Sequence, residues 1–341
     1  MNKRQWLVFI TLVGLFGTLG FFAYQRFDGR LPDLTEHAVE ATTEDDTTEG
    51  SVAGNDERID DTPESAPTDE AQTEAVAEPV ILRVVGLGAE SIAPGIVAGG
   101  GLNSTDESEF AEGLLDVRLR KVAEVSAAER ALSLGGDADD GAHLLVLPLP
   151  SFVASYERLR ALDPRIIAVA GWSQGRDALY GPARDSLMQS RRSRRSAAVG
   201  LCADLGTPES FFALYLLELS GTSVPDVNIQ ERCGSGFRAH DRSGSTNNDL
   251  GSGRLIATSA DASTLVPWVI IAPGSLFEGE EAREMLKRWL HGWFEGVREI
   301  REHAAESARM IASATNSDPV HILQHLGQIQ VADLAQNVRA F

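Results

Sequence analysis

Nineteen consecutive residues near the start of the chain, 6–24 (WLVFITLVGLFGTLGFFAY), carry no charge. At a rise of ~1.5 Å per residue they cover most of a ~30 Å hydrocarbon core, so the pattern predicts one membrane-spanning helix. Lys3 and Arg4 precede it and acids dominate after Arg30, which leaves the short N-terminus on the cytoplasmic side. The run is longer than the ~7–15 residue apolar stretch of a signal peptide, and no small-x-small cleavage site follows. An uncleaved single-pass anchor is therefore favoured over a cleaved signal.

Beyond residue 80 the pattern alternates between two periods. Residues 80–85 (VILRVV), 116–122 (DVRLRKV), 143–147 (HLLVL), 165–170 (RIIAVA), 196–201 (SAAVGL), 227–230 and 265–272 (LVPWVIIA) read as strands. Between them, residues 127–134, 151–162 and 208–219 read as helices, the second with Ser151 as its N-cap. Met285, Leu286, Trp289, Leu290, Trp293, Phe294, Val297 and Ile300 recur at three- and four-residue spacing. That spacing predicts a long amphipathic helix whose tryptophans form a buried face rather than a ligand box. Two further helices are expected over 304–315 and 319–326. The stretch from Gly234 to Gly253 is rich in Ser, Asn, Gly and Asp and reads as a flexible loop. Strands alternating with helices predict an α/β domain with a mostly parallel sheet.

Charge changes this picture in one place. Residues 33–78 hold 16 Asp or Glu against the single Arg58, which accounts for most of the net charge of −20. Such a stretch cannot bury enough apolar surface to offset its ordering entropy, so a disordered tether is expected. The organisation predicted is a stub and anchor over 1–30, an acidic linker over 31–79 and a globular domain over 80–341. Arg191, Arg192, Arg194 and Arg195 form the one basic cluster; four arginines on a loop argue against nucleic-acid binding. The two cysteines, Cys202 and Cys233, each fall near the end of an expected strand and could pair if those strands are neighbours. No Walker pattern, dinucleotide fingerprint or metal-ligand spacing is present, so neither a cofactor nor a metal is expected.

Gly171, Trp172, Ser173, Gln174 and Gly175 match Gly-x-Ser-x-Gly, the nucleophile elbow of α/β-hydrolases. A triad also needs a helix directly after the Ser and a later His on a loop. Here a strand-like DALYG follows, and His291, His303, His321 and His325 all fall in or beside helices. A serine hydrolase using Ser173 is thus the second alternative, and no enzymatic activity is expected.

From residue 80 onward the order of pieces resembles the solute-binding proteins of the nitrate, sulfonate and taurine class of ABC importers, which have the type 2 periplasmic-binding fold. Residues 131–152 (ALSLGGDADDGAHLLVLPLPSF) resemble that family's helix, turn and strand leading to the first ligand loop. Residues 171–181 (GWSQGRDALYG) resemble its Ser-Gly turn and the strand that crosses between lobes. Residues 184–221 resemble its linker and second-lobe strand, loop and helix, and 255–341 its return segment and closing helices. The resemblance implies two lobes, about 80–178 with 260–341 and about 179–259, hinged near Ala178 and Ser259. It implies a small ligand, an organic acid or sulfonate, held between them by Gly88, Ala89, Ser151, Trp172, Ser173 and Gly175 on one side. Cys202, Gly206, Thr207 and Ser210 would hold it from the other. Orphan N–H groups and the dipole at helix N-termini suit such an anion. An ABC permease is the implied partner, and the implied location is a bacterial inner membrane with the domain outside the cytoplasm. The alternative implied by the unusual anchor is a binding domain turned to interaction or sensing in the envelope.

Overall fold

The computed structural model describes residues 79–182, 199–230, 236–243 and 253–341. The expected membrane helix, the acidic tether, the arginines at 191–195, Cys233 and most of the polar loop after Gly234 lie outside the described residues. No helix among the described residues is long and apolar enough to cross a membrane.

In chain order the strands are β1 (Val80–Leu87), β2 (Leu115–Val122), β3 (Leu144–Pro148), β4 (Arg165–Ser173), β5 (Asp177–Gly181) and β6 (Val199–Cys202). They continue as β7 (Val227–Gln230), β8 (Phe237–Asp241), β9 (Arg254–Thr258), β10 (Pro267–Ala272) and β11 (Ile329–Val331). The α-helices are α1 (Ala93–Gly99), α2 (Val125–Leu134), α3 (Leu149–Leu159) and α4 (Pro208–Leu219). After the second sheet come α5 (Glu280–Glu302), α6 (Ala304–Thr315), α7 (Pro319–Leu326) and α8 (Leu334–Ala340).

The strands form two sheets, ordered β11-β4-β10-β3-β1-β2 and β7-β6-β8-β5-β9. Five strands of the first repeat the plan of the second. In each, one strand (β1 or β6) lies between two parallel partners. Beyond them comes one antiparallel strand, β10 or β5, and then a last strand, β4 or β9. The antiparallel strand is always the one that has just arrived from the other sheet. This makes the sheets mixed, where the alternation of strands and helices had pointed to a mostly parallel one.

Period-2 alternation explains how the first sheet is covered on both faces. Along β10, Trp268, Ile270 and Ala272 join a core with α1, α5, α6 and α7, while Val269 and Ile271 join a second core with α2 and α3. All five residues of β3 are buried, as suits a central strand between β10 and β1. On α5 the expected stripe is inward: Trp289 and Trp293 are fully buried, with ring centroids 5.2 Å apart. Gly296 lets α5 approach α1, since a Cβ there would lie 2.0 Å from the Pro94 carbonyl oxygen.

Several elements depart from the sequence reading. α1, with the sequence APGIVAG, has almost no helix propensity and is helical because all seven residues are buried. β8 falls within the stretch expected to be a loop, and β11 was not foreseen at all. Ser151 is not the N-cap of α3: the helix begins two residues earlier, at Leu149, with Pro148 in the capping position.

Candidate functional site

The chain crosses between the sheets twice, through residues 174–176 and 259–266. Ser259 ties the crossings together. Its buried Oγ lies 2.7 Å from Ser173 Oγ and accepts the N–H groups of Gly175 at 2.9 Å and Asp177 at 3.2 Å. Of the two residues expected at the crossings, Ser259 opens the second, and Ala178 follows just after the first, opposite Thr258 in the second sheet.

At this junction the carboxyl ends of β1 and β3 and those of β6 and β8 come to the same cleft, the usual place for a ligand in open α/β sheets. Arg176 bridges its two sides. Its guanidinium donates to Glu90, on the turn after β1, and to Asp241 at the end of β8, with Nη2 to Oδ2 at 3.0 Å. Its Cζ stacks 5.1 Å from the Trp268 ring. One cation thereby links an acid from each sheet. Burial by itself would lower the Arg176 pKa, but Glu90 and Asp241 outweigh it and raise it. Burial pushes Asp241 up, and the Arg176 charge with the Ser243 N–H at 2.8 Å brings it below the usual carboxylate range.

Two more acids stand in the cleft. Asp177, the first residue of β5, is 1% exposed, and no hydrogen bond of ordinary geometry reaches either of its oxygens. Burial raises its pKa to about 7; the nearby Ser173 hydroxyl, already engaged with Ser259, tempers this, and the charges of Glu209 and Asp241 add to it. Glu209, in the first turn of α4, is also raised, by burial first, against its own backbone N–H and the Thr207 hydroxyl.

Other contacts hold the cleft shut. The His325 Nε2–H donates to the Ser243 carbonyl at 2.7 Å, and Arg242 Nη1 donates to the Gly175 carbonyl at 3.1 Å. A Cβ on Gly206 would lie 2.8 Å from that of Ala154 on α3.

Solved structures with a similar fold exist. The periplasmic aliphatic sulphonate binding protein SsuA from Escherichia coli is similar at a TM-score of 0.52, with 12% identity over 74% of this chain and 80% of that one. A periplasmic sulfonate-binding protein SsuA from Methylobacillus flagellatus gives 0.51, with 12% identity over 76% and 81%. The fold is that of the periplasmic binding proteins. The desulfurization enzyme DSZB gives a TM-score of 0.45, with 12% identity over 76% of this chain and 86% of that one. No family model and no curated protein matches the sequence.

Within this periplasmic-binding fold the residues expected to hold a ligand have mixed surroundings. Gly88 has φ +81° and its neighbour Ala89 is buried; the Glu90 carboxylate lies where a Gly88 side chain would point. Ser151 is buried inside α3, and its carbonyl accepts the Ser155 hydroxyl at 2.8 Å. Trp172 is half-buried in the sheet, opposite Pro267 and Gln330. Ser173 is fully buried against Ser259, the partner an imidazole would need to be for hydrolysis. Gly175 lies on the crossing. Cys202 is disulfide-bonded, and β6 and β7 are neighbours as that requires, with Cys202 opposite Gln230; its expected partner, Cys233, lies outside the described residues. Thr207 and Ser210 form a capping box with each other. Their hydroxyls and the Glu209 carboxylate therefore occupy the N-terminus of α4 that was expected to welcome an anion.

The acids and Arg176 were missed because acids are too common in this chain to stand out. The usable signal was Arg176-Asp177: a charged pair opening a strand whose other residues are apolar or Gly.

The Asp177 pKa has a consequence for stability. Between about pH 4 and 7 the folded carboxyl keeps a proton that the unfolded one has lost, so this group's contribution weakens as pH rises and the penalty is complete above 7. A shift of about three units corresponds to at most ~4 kcal/mol. Asp177→Asn is expected to be more stable than the wild type at pH 8 by about 1–4 kcal/mol, with no difference near pH 4. Denaturant unfolding of both chains across that range measures it; a pH-independent difference would show that Asp177 ionises freely.

Proposed function

We propose that residues 80–341 act as a solute-binding domain of the type 2 periplasmic-binding kind, which closes on a small organic ligand by hinge motion between two lobes. The observation that supports this most is the junction itself. Two crossings joined by one hydroxyl, Ser259, leave the carboxyl edges of two sheets facing one another, with charged groups from both meeting at Arg176. The lobes are taken as about 80–178 with 260–341 and about 179–259. Residues 6–24 anchor the chain in a bacterial inner membrane, and residues 31–79 carry the domain away from the bilayer on its outer side. At up to ~3.3–3.6 Å per residue such a tether reaches far enough to meet a permease of the ABC class in the same membrane. The names of the similar structures make sulfonates one ligand class to test.

A second reading draws on the contacts that shut the cleft. A domain whose own Arg176 occupies the ligand position could serve envelope interaction or sensing instead. A thermal-shift screen of the full chain in detergent, against sulfonates, organic acids and amines, separates the two. A ligand at 100 times its Kd adds ~2.7 kcal/mol of stability. A flat profile across all three classes would sink the solute-binding reading.

A further inference from the structure

We infer that the cleft is built to receive an organic cation, an ammonium or guanidinium group held by the Asp177 and Glu209 carboxylates. This deepens the solute-binding reading and rests on it. Asp177 is a buried carboxyl that receives no hydrogen bond of ordinary geometry, with only the Ser173 hydroxyl near it, beside Glu209 and Asp241. An unpaired carboxylate in low dielectric is costly, and a bound cation removes that cost by supplying both charge and N–H donors. Arg176 does not supply them, because Glu90 and Asp241 already take its guanidinium.

The rest of the cleft fits the same ligand. The α4 N-terminus, where an anion would seat, is closed by the Thr207–Ser210 box and faces Glu209. A metal ion is a poor occupant: no group of three or more acidic, His or Cys side chains able to hold one occurs among the described residues. The stack of Arg176 on Trp268 shows a planar cation already accommodated at this junction. Asp177 also follows directly on the 174–176 crossing, so lobe opening would uncover it without unfolding the sheet.

Agmatine, with a guanidinium at one end and an ammonium at the other, is the probe, and butane-1-sulfonate the control. Both are titrated calorimetrically into the full chain in detergent at 0.15 M salt, which screens the acidic tether. Expected is one-to-one agmatine binding, weakened at least tenfold in Asp177→Asn/Glu209→Gln, and no sulfonate binding. If that double variant does not fold, Asp177→Asn carries the test. Unchanged agmatine affinity in the variant would assign the binding to the tether and overturn the inference. Sulfonate binding without agmatine binding would overturn the cation while leaving the solute-binding reading intact. Silence from both probes and from the wider screen would overturn the two together.

Discussion

Arg176→Met should destabilise the domain by about 3–5 kcal/mol, the usual cost of stranding a buried charge. The side chain is 11% exposed, and its partner Glu90 only 8%, so water cannot replace the guanidinium on that side. Asp241 is more open at 36% and should rehydrate, which makes Glu90 the principal loser. Met keeps the apolar stem against Trp268, so the loss reads charge rather than packing. Glu90→Gln combined with Arg176→Met should therefore recover most of the stability, since removing both charges leaves nothing stranded. Because the triad joins an acid on each sheet, the single variant should also populate an open cleft, visible as a larger radius of gyration by small-angle scattering. A loss below ~1 kcal/mol, the range of exposed ion pairs, would mean that water reaches the triad and that it does not hold the lobes together.

Trp293→Ala should cost about as much, roughly 3–5 kcal/mol, through a different mechanism. Its ring is fully buried, leans on Trp289 and lies over Gly95 of α1. Its indole N–H has no hydrogen-bond partner, so none is lost on substitution. The cost is cavity and transfer alone, and Trp293→Phe should restore more than half of it. Urea unfolding of the three chains with an unchanged m-value tests this. A Phe variant as weak as the Ala variant would mean that ring size at this site is decisive, because α1 and α5 cannot close around a smaller group.

What the sequence revealed follows from where the information lay. Helix α5 was legible because burial of one face imposes a period on its residues, strands β1, β3 and β10 because burial makes them near-continuous apolar runs, and the order of pieces pointed to the periplasmic-binding fold. Helix α1 was not, since Ala, Pro and Gly give no helical signal and packing alone makes it helical. Strand β8 was hidden because it is mostly polar, with only Phe237 buried, and it is held in place by its backbone pairing to β5 and β6. The cleft was half legible. Glycines and hydroxyls flagged the turns around it, yet of the groups that set its charge only Arg176 and Asp177 are adjacent in sequence; Glu90, Glu209 and Asp241 reach them only through the fold. The expected anion followed from helix ends treated as vacant, and only the folded chain shows that Thr207, Ser210 and Glu209 occupy one of them.

The exchange of strands also dictates an order of assembly. The second sheet draws its strands from residues 177–258 without interruption, and all of them exist once Thr258 has been synthesised. The first sheet cannot close so early. Its central strand, β10, must slot between β3 and β4, and α5, which seals one face, comes later still. Until then the earlier half of that sheet, β1 to β4, must wait with its apolar surfaces uncovered. Such a wait, dominated by pairings distant in sequence, makes that half the slow and aggregation-exposed step in folding.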